Sequence, residues 1–185
     1  GYNVTKCRED VPVQPFNVLR LILDDYIKYE PQFFIIQVGA NDGVRWDPLR
    51  EFILANNTPG ILIEPLPDFF SQLKSNYARA DNLIFVQAAI ADTNGGRLLY
   101  RASPDAPVED WVHGLGSFNK EHVLCSVPIE FIESVAVPTI TPSSLMQKYQ
   151  VDCLGLLQVD VEGYDYEVLK MFLEIDGVLP KIINY

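Results

Sequence analysis

Positive charge is scarce in this chain. Fourteen Lys and Arg stand against 25 Asp and Glu, for a net charge of -11. That balance argues against a general phosphate-neutralising surface for nucleic acid or anionic lipid and leaves room only for a local basic pocket. Long apolar runs are also missing. Phe33-Phe34-Ile35-Ile36 and Gly60-Ile61-Leu62-Ile63 are among the longest, far short of the roughly 18 to 20 residues that cross a bilayer, so no membrane span is expected. The first residues, Gly1-Tyr2-Asn3, offer no basic flank followed by an apolar core, and no signal peptide is visible. Cysteine is sparse: Cys7, Cys125 and Cys153 are odd in number and widely spaced. They fit neither a disulfide framework nor a zinc pattern, so reduced thiols in a cytoplasmic protein are expected. Asn3-Val4-Thr5 and Asn56-Asn57-Thr58 match the glycosylation triplet, a pattern common enough to arise by chance. Internal repeats and low-complexity stretches are absent as well.

What is present is the composition of one globular domain: 185 residues, 48% hydrophobic and 21% charged. Val18, Leu19, Ile22, Leu23, Tyr26 and Ile27 recur at helical spacing, and Pro31 should stop the run. Residues 1–32 thus read as a helical extension ahead of a main domain over 33–185. Phe33 to Val38 reads as a strand buried on both faces, followed by the turn Gly39-Ala40-Asn41-Asp42-Gly43. Asp47-Pro48 supplies an N-cap and a first-turn proline for the next helix. Ile61 to Glu64 gives a second strand, Asp68 to Tyr77 a second helix of the domain, and Leu83 to Ala89 a third strand. This β, α, β, α, β succession predicts an α/β fold, a doubly wound and mostly parallel sheet with helices on both faces.

Arg97 to Arg101 reads as a short hairpin strand after the turn Asp92 to Gly96. From Ala102 to Val137 the period is lost, and a long connection of this kind suggests an insertion or lid loop. The rhythm resumes with Thr141-Pro142 opening a helix, the strand Leu154 to Val159, the turn Asp160-Val161-Glu162-Gly163, the helix of Val168, Leu169 and Phe172, and a strand over Lys181 to Tyr185.

In a parallel α/β sheet ligands bind beyond the carboxyl ends of the strands, where strand order reverses. Gly39 to Gly43 is the first such turn, and Glu64 follows Gly43 by 21 residues, where a carboxylate can accept hydrogen bonds from ribose hydroxyls. A tight turn with no ligand and a solvated Glu64 is the competing explanation. A dinucleotide fingerprint wants glycines near 39, 41 and 44, whereas the chain has Gly39, Asn41 and Val44. Asp42 also places a negative side chain where phosphate would lie. A cationic adenosine cofactor without phosphate, S-adenosylmethionine, fits such a turn better. The second cluster, Asp160 to Asp165, would face the same crevice if its strand lies beside the first; capping and dipole roles for Asp160 and Asp165 compete with a site role. Oxygen ligands also suit magnesium or calcium, but no metal spacing pattern supports a metal.

At these residues the chain resembles the FkbM-type methyltransferases, S-adenosylmethionine-dependent enzymes that mostly methylate hydroxyl oxygens of sugars or secondary metabolites. Val38 to Gly43, Glu64-Pro65, Ala88 to Asp92 and Leu157 to Gly163 resemble the family's four motifs in order. The resemblance implies a Rossmann-like fold of the class I methyltransferase type. It also implies that Gly39, Asn41 and Gly43 shape the methionine side of the pocket, that Glu64 holds the ribose, that Gln87 and Ala88 border adenine, that Asp160 lies near the transferring methyl, and that Ala40, Asp42 and Pro65 are cofactor-binding residues of the same motifs. Gln37 departs from the acidic residue common before the first motif, and Gln158 from a frequent Lys. The family fold further implies two strands after Tyr185, so the chain reads as C-terminally truncated, and an exposed edge there would favour pairing with another copy.

Methyl transfer to a hydroxyl needs alignment, exclusion of water and a general base. His113 is the base expected from the sequence, with Asp160 and Glu162 as the other catalytic candidates. Trp111 and Phe118, near possible glycine hinges at Gly114 and Gly116, would cover the cofactor or stack on a sugar. His122 reads as solvated. A nicotinamide oxidoreductase and a noncatalytic nucleoside-binding module are the alternatives. The acceptor is expected to be a small-molecule or glycan hydroxyl.

Overall fold

A computed structural model describes residues 17–30 and 32–185. Pro31, Cys7 and the triplet at Asn3 lie outside the described residues. The elements follow in the order α1 (Val18–Tyr26), β1 (Ile35–Val38), α2 (Arg50–Asn56), β2 (Gly60–Ile63), α3 (Pro67–Asn76), β3 (Leu83–Val86), β4 (Ala89–Ile90) and β5 (Gly95–Ala102). They continue with α4 (Asp110–His113), β6 (Gly116–Ser117), α5 (Lys120–Leu124), β7 (Ile132–Ile140), α6 (Pro142–Tyr149), β8 (Leu156–Val159), α7 (Asp165–Leu173) and β9 (Ile182–Asn184).

The main sheet has five parallel strands in the order β3-β2-β1-β8-β9. Strand order therefore reverses between β1 and β8, with Val38 in register with Val159. All four residues of β1, β2 and β8 are buried, because helices cover both faces. On one face Ile35, Leu62 and Leu156 meet Leu23 of α1, Phe52 and Ile53 of α2, and Leu73 of α3. On the other, Ile36, Ile61, Leu157 and Val159 meet Leu145 and Met146 of α6 and Val168 and Phe172 of α7. Helix α1 is thus packed into the core through Leu23, fully buried, and is no detached extension.

The start of α2 shows how local chemistry places an element. Asp47 accepts hydrogen bonds from the N–H groups of Leu49 (2.8 Å) and Arg50 (3.2 Å). It caps as its position suggests, although the helix begins two residues beyond Pro48. Thr141 caps α6 through the N–H of Ser144, with Pro142 at the first helical position.

Three expectations need correction. Leu83 to Ala89 is not one strand: the chain breaks at Gln87-Ala88, and β4 leaves the main sheet. Arg97 to Arg101 belongs to an eight-residue strand rather than a short hairpin arm. The stretch 102–137 is not an unstructured loop, since it carries α4, β6, α5 and the first part of β7. Strands β4, β7, β5 and β6 form a second sheet in that order, and β5 runs antiparallel to β7 from Gly95 opposite Thr139 to Ala102 opposite Ile132. Pro138 inside β7 hides this strand from pattern reading; it sits opposite Gly96. Arg101, nearly fully buried, ties the second sheet to α3 through Asp68 at 2.8 Å.

Gly39 is the tightest point of the main sheet. Its φ is +82°, and a Cβ there would stand 1.8 Å from the carbonyl oxygen of Asp160, a distance no side-chain carbon can occupy. Left-handed strain and overpacking add, so Gly39→Ala should lose about 3 kcal/mol of stability. Gly96→Ala, whose new carbon meets only the Val137 carbonyl oxygen at 3.5 Å, should stay within about 0.5 kcal/mol. Urea unfolding midpoints of the two variants measure the contrast, and equal midpoints would contradict this account.

Candidate functional site

A cleft of about 420 Å³ opens over the carboxyl ends of β1, β2 and β8, within the range of small-molecule sites. Its floor is the first turn. The N–H groups of Gly39 and Ala40 both donate to the carbonyl of Ile63, at 3.0 and 2.9 Å, which folds the turn over the end of β2. Asn41 then adopts a left-handed conformation (φ +50°), and its N–H donates to Oε2 of Glu64 at 2.9 Å. The other carboxylate oxygen of Glu64 accepts from the N–H of Leu66, also at 2.9 Å. Glu64 is therefore not a solvated helix-approach residue. It is 5% exposed, and burial pushes its carboxyl up to about 7 against the hydrogen bonds from Leu66 and Asn41 that favour ionisation.

The remaining turn residues divide. Ala40 lines the cleft, as do Pro65 and Ala88. Asp42 does not: its carboxylate folds back to accept from the N–H groups of Val44 and Arg45 (both 2.9 Å) and from Arg45 Nε (2.7 Å). Burial raises this carboxyl, but those bonds and the guanidinium outweigh it and hold the group below the ordinary range. The negative charge expected to face a ligand is thus spent inside the turn, and the argument that it repels phosphate fails. Gly43 lies behind the turn, against Leu73 and Tyr77, and Gln87 is exposed outside the cleft lining.

Across the cleft stands the turn after β8. Asp160 and Glu162 both line it, so the expected apposition of the two turns holds. Asp165 does not simply attend the helix start: its carboxylate accepts from the N–H groups of Val161 (3.0 Å) and Gly163 (3.2 Å) and knits the turn. Glu162 has a left-handed φ of +51°. Asp160 opens to the cleft, yet partial burial, then the charges of Glu162 and Asp165, push its carboxyl up to about 6.

Neither histidine lines the cleft. His113 does not line the cleft; it is half-buried, and its Nδ1 is buried without a hydrogen-bond partner. His122 instead packs on Gly163 and sets Nε2 3.5 Å from Glu162 Oε2. Its distance in sequence from the β8 turn hid this contact. Trp111 and Phe118 line the cleft as expected, joined by residues that pattern reading missed: Arg45 and Trp46 after the first turn, and Leu99 of the second sheet. The signal for Arg45 and Trp46 was their position directly after the glycine turn.

Gln37 and Gln158 also line the cleft. Gln37 Nε2 donates to Asp47 at 3.2 Å, while Gln37 Oε1 is buried and has no partner. Such an orphan acceptor normally finds a donor. Gln158, its register neighbour, accepts from Asn184 of β9 and is nearly fully buried. Among the described residues no group of three or more His, Cys, Asp or Glu is arranged to hold a metal ion, and no helix is long and apolar enough to cross a membrane.

The strand order and the cleft over its reversal define a Rossmann-like α/β protein of the methyltransferase type. Residues 37–183 match the Methyltransferase FkbM domain, and the chain belongs to that family. It is also similar to the hexuronic acid methyltransferase AglP of Haloferax volcanii, 25% identical over 154 residues, which are 83% of this chain and 54% of that protein. The chain spans about half the length of that relative. No solved structure matches significantly.

The titration of Glu64 has a stability consequence. The fold raises this carboxyl from 4.5 to about 7, so the folded state holds the proton more tightly than the unfolded one. The stability it confers is complete below about 4.5 and is lost as pH rises through 7, by about 3 kcal/mol in all. The unfolding free energy of the wild type minus that of Glu64→Gln should therefore fall between pH 4.5 and 8. A difference that stays flat in parallel urea titrations would contradict it.

Proposed function

We propose that the chain is the catalytic domain of an S-adenosylmethionine-dependent methyltransferase that acts on a hydroxyl oxygen of a sugar or related small molecule. The observation that carries this reading is Glu64. Its two oxygens are each fixed by one backbone N–H and keep further acceptor capacity, which suits the paired hydroxyls of a ribose beside the first turn. The residues present fit the cofactor in two further ways. Gly39 and Ala40 bring bare backbone to the cleft floor, and the unpartnered Oε1 of Gln37 offers an acceptor to an ammonium group.

When bound, S-adenosylmethionine supplies an electrophilic methyl on a positively charged sulfur. The chain's own residues align the acceptor and take its proton. Asp160 fits the role of base: it lines the cleft, and a carboxyl near 6 is a stronger base than an ordinary aspartate yet remains ionised at neutral pH. Glu162, held beside His122, is the second carboxylate at the same edge. His113, outside the lining, is replaced by these groups in our assignment. Trp111 and Phe118 shield the cleft from water. A hexuronic acid, the acceptor class in the name of the Haloferax volcanii relative, is the sugar class to try first. A cytoplasmic site of action is proposed on the odd number and wide spacing of Cys7, Cys125 and Cys153 in the sequence.

Calorimetry tests the assignment. S-adenosylmethionine and S-adenosylhomocysteine should bind and NADH should not. Glu64→Ala should weaken both by about tenfold or more, the loss expected for hydrogen bonds to a charged group. Unaltered affinity would refute the ribose role. Binding of both ligands with no turnover of any hydroxyl acceptor would favour a noncatalytic nucleoside-binding module.

A further inference from the structure

The segment between the first turn and α2 holds a residue that the fold alone does not explain. Trp46 has φ +55° and is 66% exposed. A bulky aromatic residue in left-handed backbone is a conformational outlier, and here its ring is too exposed for packing to offset the strain. Both neighbours are anchored. Asp42 grips the N–H and Nε of Arg45. Asp47 accepts from Gln37 Nε2, Tyr77 Oη and the N–H groups of Leu49 and Arg50. The chain is thus pinned on either side of Trp46, and the indole is left lining the cleft.

Arg45 lines the cleft beside it and is the cation of a lining whose other charged residues are Asp47, Glu64, Asp160 and Glu162. Its hydrogen bond to Asp42 uses Nε; the two terminal nitrogens, which form the other half of the guanidinium fork, make no hydrogen bond within the described residues. A half-exposed guanidinium fixed on one side, in an otherwise acidic cleft, is built to receive an anion of carboxylate size.

We propose that Arg45 and Trp46 form a carboxylate-binding subsite, the guanidinium pairing with the carboxylate and the indole covering it. Two sources of carboxylate suit the position: the amino-acid portion of the methyl donor and an acidic sugar acceptor. The nucleoside probes rest on the methyl-donor part of the proposed function and the sugar probes on its acceptor part, so the two parts fail separately.

Trp46 and Trp111 are the two tryptophans of the chain and both line the cleft, so intrinsic fluorescence reports directly on its ligands. Titrations would compare S-adenosylhomocysteine with 5′-methylthioadenosine, the related nucleoside thioether that lacks both the carboxylate and the ammonium of the amino-acid portion, and D-glucuronate with D-glucose. In at least one pair the carboxylated member should bind about tenfold more tightly, as expected for one charge-assisted pair. Arg45→Gln should erase the preference in the sugar pair, cut it about tenfold in the nucleoside pair, where the ammonium contact remains, and leave the uncharged member's affinity intact, and Arg45→Lys, which keeps the charge but loses the fork, should retain only part of the Arg45 contribution. A pair that discriminates identifies the source of the carboxylate. If the nucleosides fail to bind while D-glucuronate binds through Arg45, the methyl-donor reading falls and the subsite stands. No preference in either pair, including failure of all four to bind, overturns the subsite, as does a preference that survives undiminished in Arg45→Gln and Arg45→Lys alike. Trp46→Gly relieves the backbone strain, so it should melt higher yet bind the carboxylated probe more weakly by calorimetry; unchanged affinity would remove the indole from the subsite.

Discussion

The close approach of two chain turns at Gly39 and Asp160 sets the geometry of the rest. Strands β1 and β8 lie side by side, the N–H of Asp160 donates to the carbonyl of Val38 at 3.0 Å, and the Asp160 carbonyl fills the space where any other residue at 39 would carry its side chain. Because the strand order reverses at this pair, the two turns leave the sheet in opposite directions and a crevice opens between them. The glycine is a condition for the crevice to exist in this shape, in addition to letting a ligand approach the backbone.

Within that crevice the carboxylates carry unequal duties. Asp42 and Asp47 are consumed by the backbone: each gathers several N–H donors and one or more side-chain donors, and together they fix the path of residues 42–50. Glu64 holds the turn and the start of the following segment at once, yet retains unused acceptor capacity. Asp160 and Glu162 are held in place by a turn that Asp165 ties, and they remain directed at the cleft lining. A count of acidic residues cannot reveal this division. It arises from which backbone N–H groups lack another partner, since buried donors must be satisfied.

This difference also accounts for what the sequence disclosed. The main sheet was legible because its strands are short continuous apolar runs divided by glycine turns and amphipathic helices, a pattern that parallel pairing leaves little freedom to misread. Gly39, Glu64 and Asp160 were legible because they end those strands. Asp42 was misjudged since an acidic residue in a glycine turn reads the same whether it faces a ligand or caps its own backbone. The second sheet was obscured for two reasons: β4 has two residues, and β7 alternates weakly and contains Pro138. His122 reached the site through a contact with a residue forty positions away, which no local pattern encodes.

The concealed second sheet is also the part that finishes the cleft. Ala89 and Ile90 of β4, Leu99 of β5 and Gly116 of β6 line its far wall, and the wall is clamped to the β8 turn at two points. Phe118 meets Tyr164 edge to face at 5.3 Å with Arg97 over its ring, and His122 rests on Gly163 and Glu162. Interlocked contacts of this kind resist the swing expected of a lid on glycine hinges, because opening would separate an aromatic pair, a cation over a ring and a histidine–carboxylate contact together. The segment 102–137 therefore forms one wall of the cleft, and the turns of the main sheet form its floor. Under the proposed function, acceptor choice falls to side chains of that wall and to the Arg45–Trp46 pair.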